Sequence, residues 1–183
     1  MPKFAKRMDN LKASEIRELL ALTADPSIIS FAGGLPAAEL FPIDKWIEAE
    51  NKVMKENGAA ALQYGPTDGY KRLREHCITR MNKVGVKNVE ADDIQVLSGS
   101  QQGLDFMARI FIDPGDYIVV ESPTYLGALN AFKAYEPKFL QVPLDEDGMV
   151  LEDLENALKN NDNVKFIYVI SDFQNPSGKT WTM

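Results

Sequence analysis

Four small or polar residues, Ser98-Gly99-Ser100-Gln101, stand between a short apolar run and a stretch with apolar residues at helical spacing. A strand that turns sharply into a helix leaves the first backbone N–H groups of the helix unpaired, at the positive end of the helix dipole. Ser98 and Ser100 can add hydroxyl donors, and Gly99 lets a ligand approach the backbone closely. These features predict a phosphate site, although a serine-capped turn is more often a plain connection.

Two later segments carry groups that suit a flat ring. Tyr125 follows the next apolar strand and offers a face on which a heterocycle can stack. Asn175 belongs to an Asn-Pro-Ser-Gly turn, where the proline and glycine hold an amide that can donate to a ring oxygen. Tyr125 could also pack in the core, and Asn175 could be an ordinary turn residue. Taken with the phosphate turn, the two segments predict a site for a flat, phosphorylated cofactor.

The elements that must position these groups alternate between strand and helix. Apolar runs predict strands at residues 94–97, 117–121, 139–143 and 165–170, with helices between them. Such alternation predicts an α/β fold with a mostly parallel sheet and helices on both faces. In an open parallel sheet, ligands bind beyond the carboxyl ends of the strands, which is where all three segments fall.

Two helices are predicted before the sheet. Pro42 opens the first, and Asn57-Gly58 closes it. The second runs from Tyr70 to Gly85 and carries Cys77 on its apolar side, so the simplest interpretation of Cys77 is a core residue.

Composition excludes several classes of function. The 183 residues are 45% hydrophobic and 26% charged, with a net charge of −7, which makes nucleic acid and anionic membranes unlikely partners. The single cysteine cannot form an intrachain disulfide, and one cysteine with one histidine cannot form a zinc cluster. No signal peptide or transmembrane run is visible, so we expect a cytoplasmic protein.

Six segments along nearly the whole chain carry a family resemblance: Ala13–Leu20, Ile29–Pro42, Leu62–Tyr70, Ser98–Asp105, Glu121–Leu129 and Phe173–Gly178. They resemble the fold-type I pyridoxal 5'-phosphate (PLP) enzymes, specifically the class I/II aminotransferases near the 2-aminoadipate and kynurenine branch. The resemblance implies an N-terminal arm and small-domain segment over residues 1–45 and the first half of a PLP-binding large domain over residues 46–183. It also implies transfer of an amino group from an amino acid to a 2-oxo acid.

The resemblance assigns roles at the cofactor. Gly99, Ser100 and Gln101 would hold the PLP phosphate, and Tyr125 would stack on the pyridine ring. Asn175 would donate to the phenolic oxygen of the ring and to the substrate carboxylate.

Three further residues receive roles from the same resemblance. Tyr64 would reach the phosphate of the neighbouring subunit's cofactor, which implies a homodimer. Gly34 would lie at the substrate carboxylate. Arg17 would be a candidate for binding a distal carboxylate, so that the preferred donor carries a second carboxylate or a large side chain. From the residues alone, Arg17 is better interpreted as an exposed partner of nearby glutamates.

The chain departs from the family at its end. The family's Schiff-base lysine, the aspartate paired with the pyridine nitrogen and the arginine that binds the substrate carboxylate all come well after the Asn-Pro turn, and this chain ends at Met183. Lys179 does not occupy the position of that lysine. We therefore expect an N-terminal fragment with no catalytic residue of its own, inactive alone.

Two alternatives remain open. The chain could be a non-catalytic remnant that binds phosphate compounds. It could also be a dinucleotide-binding dehydrogenase in which Glu121, at the end of a strand, binds a ribose. Against the dehydrogenase, Gly99 and Gly103 do not form the Gly-x-Gly-x-x-Gly pattern.

Overall fold

The computed structural model describes residues 3–10, 28–29, 34 and 36–182. The chain divides into two compact units, one formed by residues 1–12 and 97–183 and the other by residues 13–96. The domain boundary predicted between residues 45 and 46 stays a prediction.

The described residues of the unit 13–96 include two α-helices, α1 (Ile43–Ala61) and α2 (Lys71–Lys83). Arg74 of α2 is buried, and its guanidinium lies 2.6 Å from the Asp68 carboxylate and donates to the Ala91 carbonyl at 2.8 Å. These contacts tie α2 to the loop before it and to the 3-10 helix Ala91–Asp93. A buried guanidinium needs such partners because an unpaired buried charge is costly.

Two predictions for this unit were wrong in detail. The first helix does not end at Asn57-Gly58. The helix is kinked at Asn57, whose backbone is not helical (φ −143°, ψ 24°), and it continues to Ala61. Three successive alanines favour this continuation because alanine has the highest helix propensity. Residues 94–97 form no strand among the described residues, although Ile94 is extended (φ −115°, ψ 123°). An extended apolar run becomes a strand only beside a partner strand, and here the Val96 N–H donates to the Asp68 carbonyl in a loop.

Three parallel strands form the sheet of the other unit: β1 (Tyr117–Ser122), β2 (Lys138–Pro143) and β3 (Val164–Tyr168). Their order is β2-β1-β3, so β1 is central. Residues 118–121 of β1 are all buried, as expected for a strand covered on both faces.

Helices cover both faces of this sheet. On one face, Ile118 and Val120 pack with Phe132 of α4 (Leu126–Lys133) and with α3 (Ser100–Phe111), which contributes Ala108. On the other face, Val119 and Val142 pack against Leu154 of α5 (Leu151–Lys159). The predicted parallel α/β layer structure is confirmed.

Candidate functional site

The turn that enters α3 has an open, glycine-dependent backbone. Gly99 is the N-cap residue, with φ +84° and ψ 166°, a conformation that is strained for residues with a side chain. A Cβ added at Gly99 would meet no atom within 4 Å. Residues 98–101 are exposed, and helix geometry leaves the first N–H groups of α3 without intrahelical acceptors. The turn therefore offers both donors and space to an anion.

Two glutamines of α3 hold this turn in place. The Gln102 side-chain carbonyl accepts from the Ser98 N–H at 2.7 Å. The Gln101 side-chain amide donates to the Gly127 carbonyl at 3.0 Å. Because Gly127 lies in the first turn of α4, the second bond joins the start of α3 to the start of α4.

Tyr125 is the N-cap residue of α4, and its ring covers Gly127. A Cβ at Gly127 would lie 2.4 Å from the Tyr125 Cζ, so the ring occupies the space that a side chain would need. The ring also packs against the core beside α4 and remains partly exposed. Tyr125 is therefore fixed by packing while part of its surface stays accessible.

Asn175 lies in a closed loop after β3 and is exposed. The Gln174 N–H donates to the Lys179 carbonyl at 2.8 Å, and the Ser177 N–H donates to the Gln174 side-chain carbonyl at 2.8 Å. The Asn175–Pro176 peptide is cis. The two hydrogen bonds of Gln174 hold the turn that exposes the Asn175 amide.

A buried polar pair joins the loops that carry Tyr125 and Asn175. Glu121 and Gln174 are each 1% exposed. Gln174 Nε2 donates to Glu121 Oε2 at 3.0 Å and to the Pro123 carbonyl at 2.8 Å, and the Ile170 N–H also donates to Glu121 Oε2 at 3.2 Å. The three sequence-predicted segments thus lie in one unit and are joined by hydrogen bonds at the carboxyl ends of β1 and β3.

Sequence reasoning missed this pair. It considered Glu121 only as a ribose ligand and gave Gln174 no role. The sequence does show a carboxylate, Glu121, at the end of one apolar strand and a glutamine, Gln174, a few residues after the end of another strand. The burial of Glu121 counts against the dehydrogenase alternative, since a ribose would need an accessible carboxylate.

The hydroxyl of Tyr168, at the end of β3, has a raised pKa. Burial raises the pKa of the Tyr168 hydroxyl above its ordinary value, and the nearby Glu121 and Tyr125 raise it further. Both effects favour the neutral phenol, because a phenolate there would lose solvation and face negative charge.

The other predicted site residues lie elsewhere in the chain. Gly34 and Tyr64 belong to the unit of residues 13–96; both are exposed, and Tyr64 fully so at 100%. Arg17 lies outside the described residues. The structure therefore brings together the phosphate turn, Tyr125 and Asn175.

The described part of the chain contains no group of three or more histidine, cysteine, aspartate or glutamate side chains placed to hold a metal ion. None of its helices combines the length and the hydropathy needed to cross a membrane.

Residues 27–183 match the family described as aminotransferase class I and II. The chain belongs to this family. It is 48% identical over 181 residues to the aromatic-amino-acid aminotransferase 1 of Thermococcus litoralis, covering 97% of this chain and 43% of that protein. It is 44% identical over 175 residues to the 2-aminoadipate transaminase of Thermus thermophilus, covering 96% of this chain and 42% of that protein.

Comparison with solved structures also finds aminotransferases. The kynurenine aminotransferase of Pyrococcus horikoshii, determined in complex with PMP, superposes with a TM-score of 0.88 at 44% identity, covering 98% of this chain and 45% of that one. The fold predicted from the resemblance is confirmed. The chain spans less than half the length of the curated relatives described above.

Proposed function

We propose that the protein to which this chain corresponds transfers an amino group from an amino acid to a 2-oxo acid, with PLP as cofactor. Membership of the aminotransferase family supports this, as does the binding of PMP by the Pyrococcus horikoshii relative. The observation that carries the proposal is the linked set of an open helix-entry turn, a partly exposed aromatic ring and an exposed amide at one sheet edge.

The phosphate is proposed to bind at the turn of Gly99, Ser100 and Gln101. Backbone N–H groups at a helix start suit a phosphate because they are unpaired and lie at the positive end of the helix dipole. The Gln101 side chain already donates to Gly127, so Gln101 would contribute its backbone N–H. The Ser100 hydroxyl is exposed and can add a further donor.

Tyr125 and Asn175 are proposed to bind the ring. Stacking on the Tyr125 face is worth about 1 kcal/mol beyond the burial of apolar area. The Asn175 amide would donate to the phenolic oxygen of the ring and to the substrate carboxylate. When bound, PLP supplies the electron-withdrawing ring that weakens the bonds at the amino-bearing carbon of the substrate.

The remaining assignments concern the substrate and a second subunit. We propose a cytoplasmic homodimer in which Tyr64 reaches the phosphate bound by the partner subunit; the full exposure of Tyr64 is compatible with such a contact. Gly34 is proposed to lie at the substrate carboxylate. Arg17 is proposed to bind a distal carboxylate, which would favour donors with a second carboxylate or a large side chain.

A donor screen tests this function. The complete protein, loaded with PLP, would be incubated with single amino acids, and the 2-oxo acid released would be measured before and after adding an acceptor. We expect 2-aminoadipate and aromatic amino acids to react faster than alanine, and Arg17→Ala to slow only the dicarboxylic donor. Preference for alanine, unaffected by Arg17→Ala, would contradict the proposed specificity. Absence of any 2-oxo acid would contradict the reaction itself.

A further inference from the structure

The pair Glu121 and Gln174 occupies an unusual position for two polar side chains. Both are 1% exposed, and they are 53 residues apart in the chain. Glu121 lies near the end of the central strand β1, and Gln174 lies in the loop after β3. An apolar pair of similar volume would fill this space without the cost of removing a carboxylate from water.

The hydrogen bonds of the pair all run to the two site loops. Both ends of the Gln174 side-chain amide form hydrogen bonds. Its Nε2 donates to Glu121 and to the Pro123 carbonyl, and its Oε1 accepts from the Ser177 N–H. Pro123 precedes Tyr125 by two residues, and Ser177 follows Asn175 by two residues. A single side chain therefore bridges the loop of the ring and the loop of the amide.

Glu121 supplies the fixed end of this bridge. Its Oε2 accepts from Gln174 and from the Ile170 N–H, while Oε1 is buried without a hydrogen-bond partner among the described residues. Both neighbours of Oε2 are donors, so the acceptor-only carboxylate fixes the orientation of the Gln174 amide. An amide at position 121 could satisfy the same donors with one oxygen, but it would bury an unpaired NH2 where Oε1 now lies.

We propose that Glu121 and Gln174 are positioning residues that set the spacing between the Tyr125 ring and the Asn175 amide. They thereby determine affinity for the pyridine ring of the cofactor but not for its phosphate, because the Gly99 turn is held by Gln101 and Gln102 and not by this pair. This inference rests on the proposed function. Neither residue touches the cofactor; each acts through the loop it holds.

The first test compares two ligands on the 183-residue chain: pyridoxamine 5'-phosphate, which cannot react with surface lysines, and inorganic phosphate. We expect Glu121→Gln and Gln174→Met to weaken pyridoxamine 5'-phosphate about tenfold and to leave the affinity for inorganic phosphate unchanged. A merely structural role would weaken both ligands together. Equal loss of both affinities, or no loss of either, would overturn the inference.

Asp116→Asn provides a matched control. Asp116 is also a buried carboxylate (4% exposed) next to β1, but it lies at the opposite end of the strand, where it accepts from the Asp113 N–H at 2.7 Å. We expect Asp116→Asn to lower stability and to leave the ratio of the two affinities unchanged. A changed ratio would show that any buried charge of this unit affects ring binding, and would overturn the inference.

A ligand-free measurement separates this inference from the proposed function. The Ser177 N–H bonds to Gln174, and the Ala128 N–H bonds to the Tyr125 carbonyl at 3.1 Å, so their hydrogen exchange reports the two loops. We expect Glu121→Gln to speed hydrogen exchange at both amides and Asp116→Asn to speed it at neither.

Failure of the proposed function and failure of this inference are distinguishable. A wild-type protein that binds pyridoxamine 5'-phosphate no better than phosphate would contradict the proposed function, and the exchange rates would still decide whether the pair positions the loops. Unchanged exchange at either amide in Glu121→Gln would overturn the inference.

Discussion

The ring of Tyr125 covers Gly127, and the turn of Asn175 is held through Gln174, so both groups owe their positions to neighbours. Gly99 differs, because its own backbone conformation defines the turn. The sequence indicated all three positions through residue type alone: a small-residue turn, an aromatic after a strand and an Asn-Pro turn. It could not indicate the Glu121–Gln174 bridge, since a contact across 53 residues depends on which strands become neighbours.

Gly99→Ala should weaken phosphate binding through the backbone. The added methyl group would meet open space, but alanine is strained by about 1–3 kcal/mol at this φ, so the turn would shift and its N–H groups would turn away. We expect about a tenfold loss of affinity for inorganic phosphate, measured by titration. Gly115→Ala is the matched control, because Gly115 (φ +94°) also has open space and lies before β1, away from the site. Equal loss in both variants would contradict this account of the turn.

Tyr168 should make stability fall at high pH. Its folded-state pKa is raised above the unfolded value of about 10, so the fold favours the neutral phenol. The resulting stabilisation is complete below the unfolded pKa and is lost as pH rises through the folded pKa. Tyr168→Phe should remove this part of the pH dependence of the free energy of unfolding, measured in urea. Glu121→Gln should lower the pKa of the Tyr168 hydroxyl, measured by tyrosinate absorbance. A Tyr168→Phe profile parallel to wild type would refute the assignment.

At the scale of elements, the apolar periodicity predicted β1, β2, β3 and the helices between them. Burial follows the pattern best in the central strand β1, whereas Met107 and Ile110 of α3 and Leu151 of α5 are exposed. The same reasoning failed at residues 94–97, where the apolar run has no strand partner among the described residues. It failed also at Asn57, where a local kink was mistaken for a helix end. Boundaries that depend on a neighbouring element are not encoded in local pattern.

The turn between β2 and α5 packs against the segment that follows the Asn175 loop. Gly148 is buried with φ +133°, and a Cβ there would lie 2.7 Å from Trp181 Cδ2. We expect Gly148→Ala to destabilise by about 3 kcal/mol, from backbone strain and overpacking together. In a Trp181→Ala background the collision is absent, so the same change should cost only the strain, about 1 kcal/mol. Urea unfolding followed by circular dichroism completes the double-mutant cycle, and additive effects would contradict the proposed contact.

At the scale of the molecule, family membership was predictable because the matching segments follow one another in order along the chain. The division into units of residues 1–12 with 97–183 and of residues 13–96 was not, since it joins parts that are distant in sequence. The three segments proposed to bind the cofactor nevertheless lie in one unit, at the sheet edge where parallel-sheet topology predicts ligands to bind. The central claim is therefore that this edge binds a phosphorylated pyridine ring.

Amide chemical-shift mapping on the 183-residue chain tests that claim most directly. Pyridoxamine 5'-phosphate would be added stepwise, with pyridoxamine, which lacks the phosphate, as the matched control ligand. The account predicts saturable shifts confined to three segments, residues 98–102, 123–127 and 174–178, with much weaker shifts from pyridoxamine. Shifts spread over other surfaces, or equal responses to the two ligands, would contradict it.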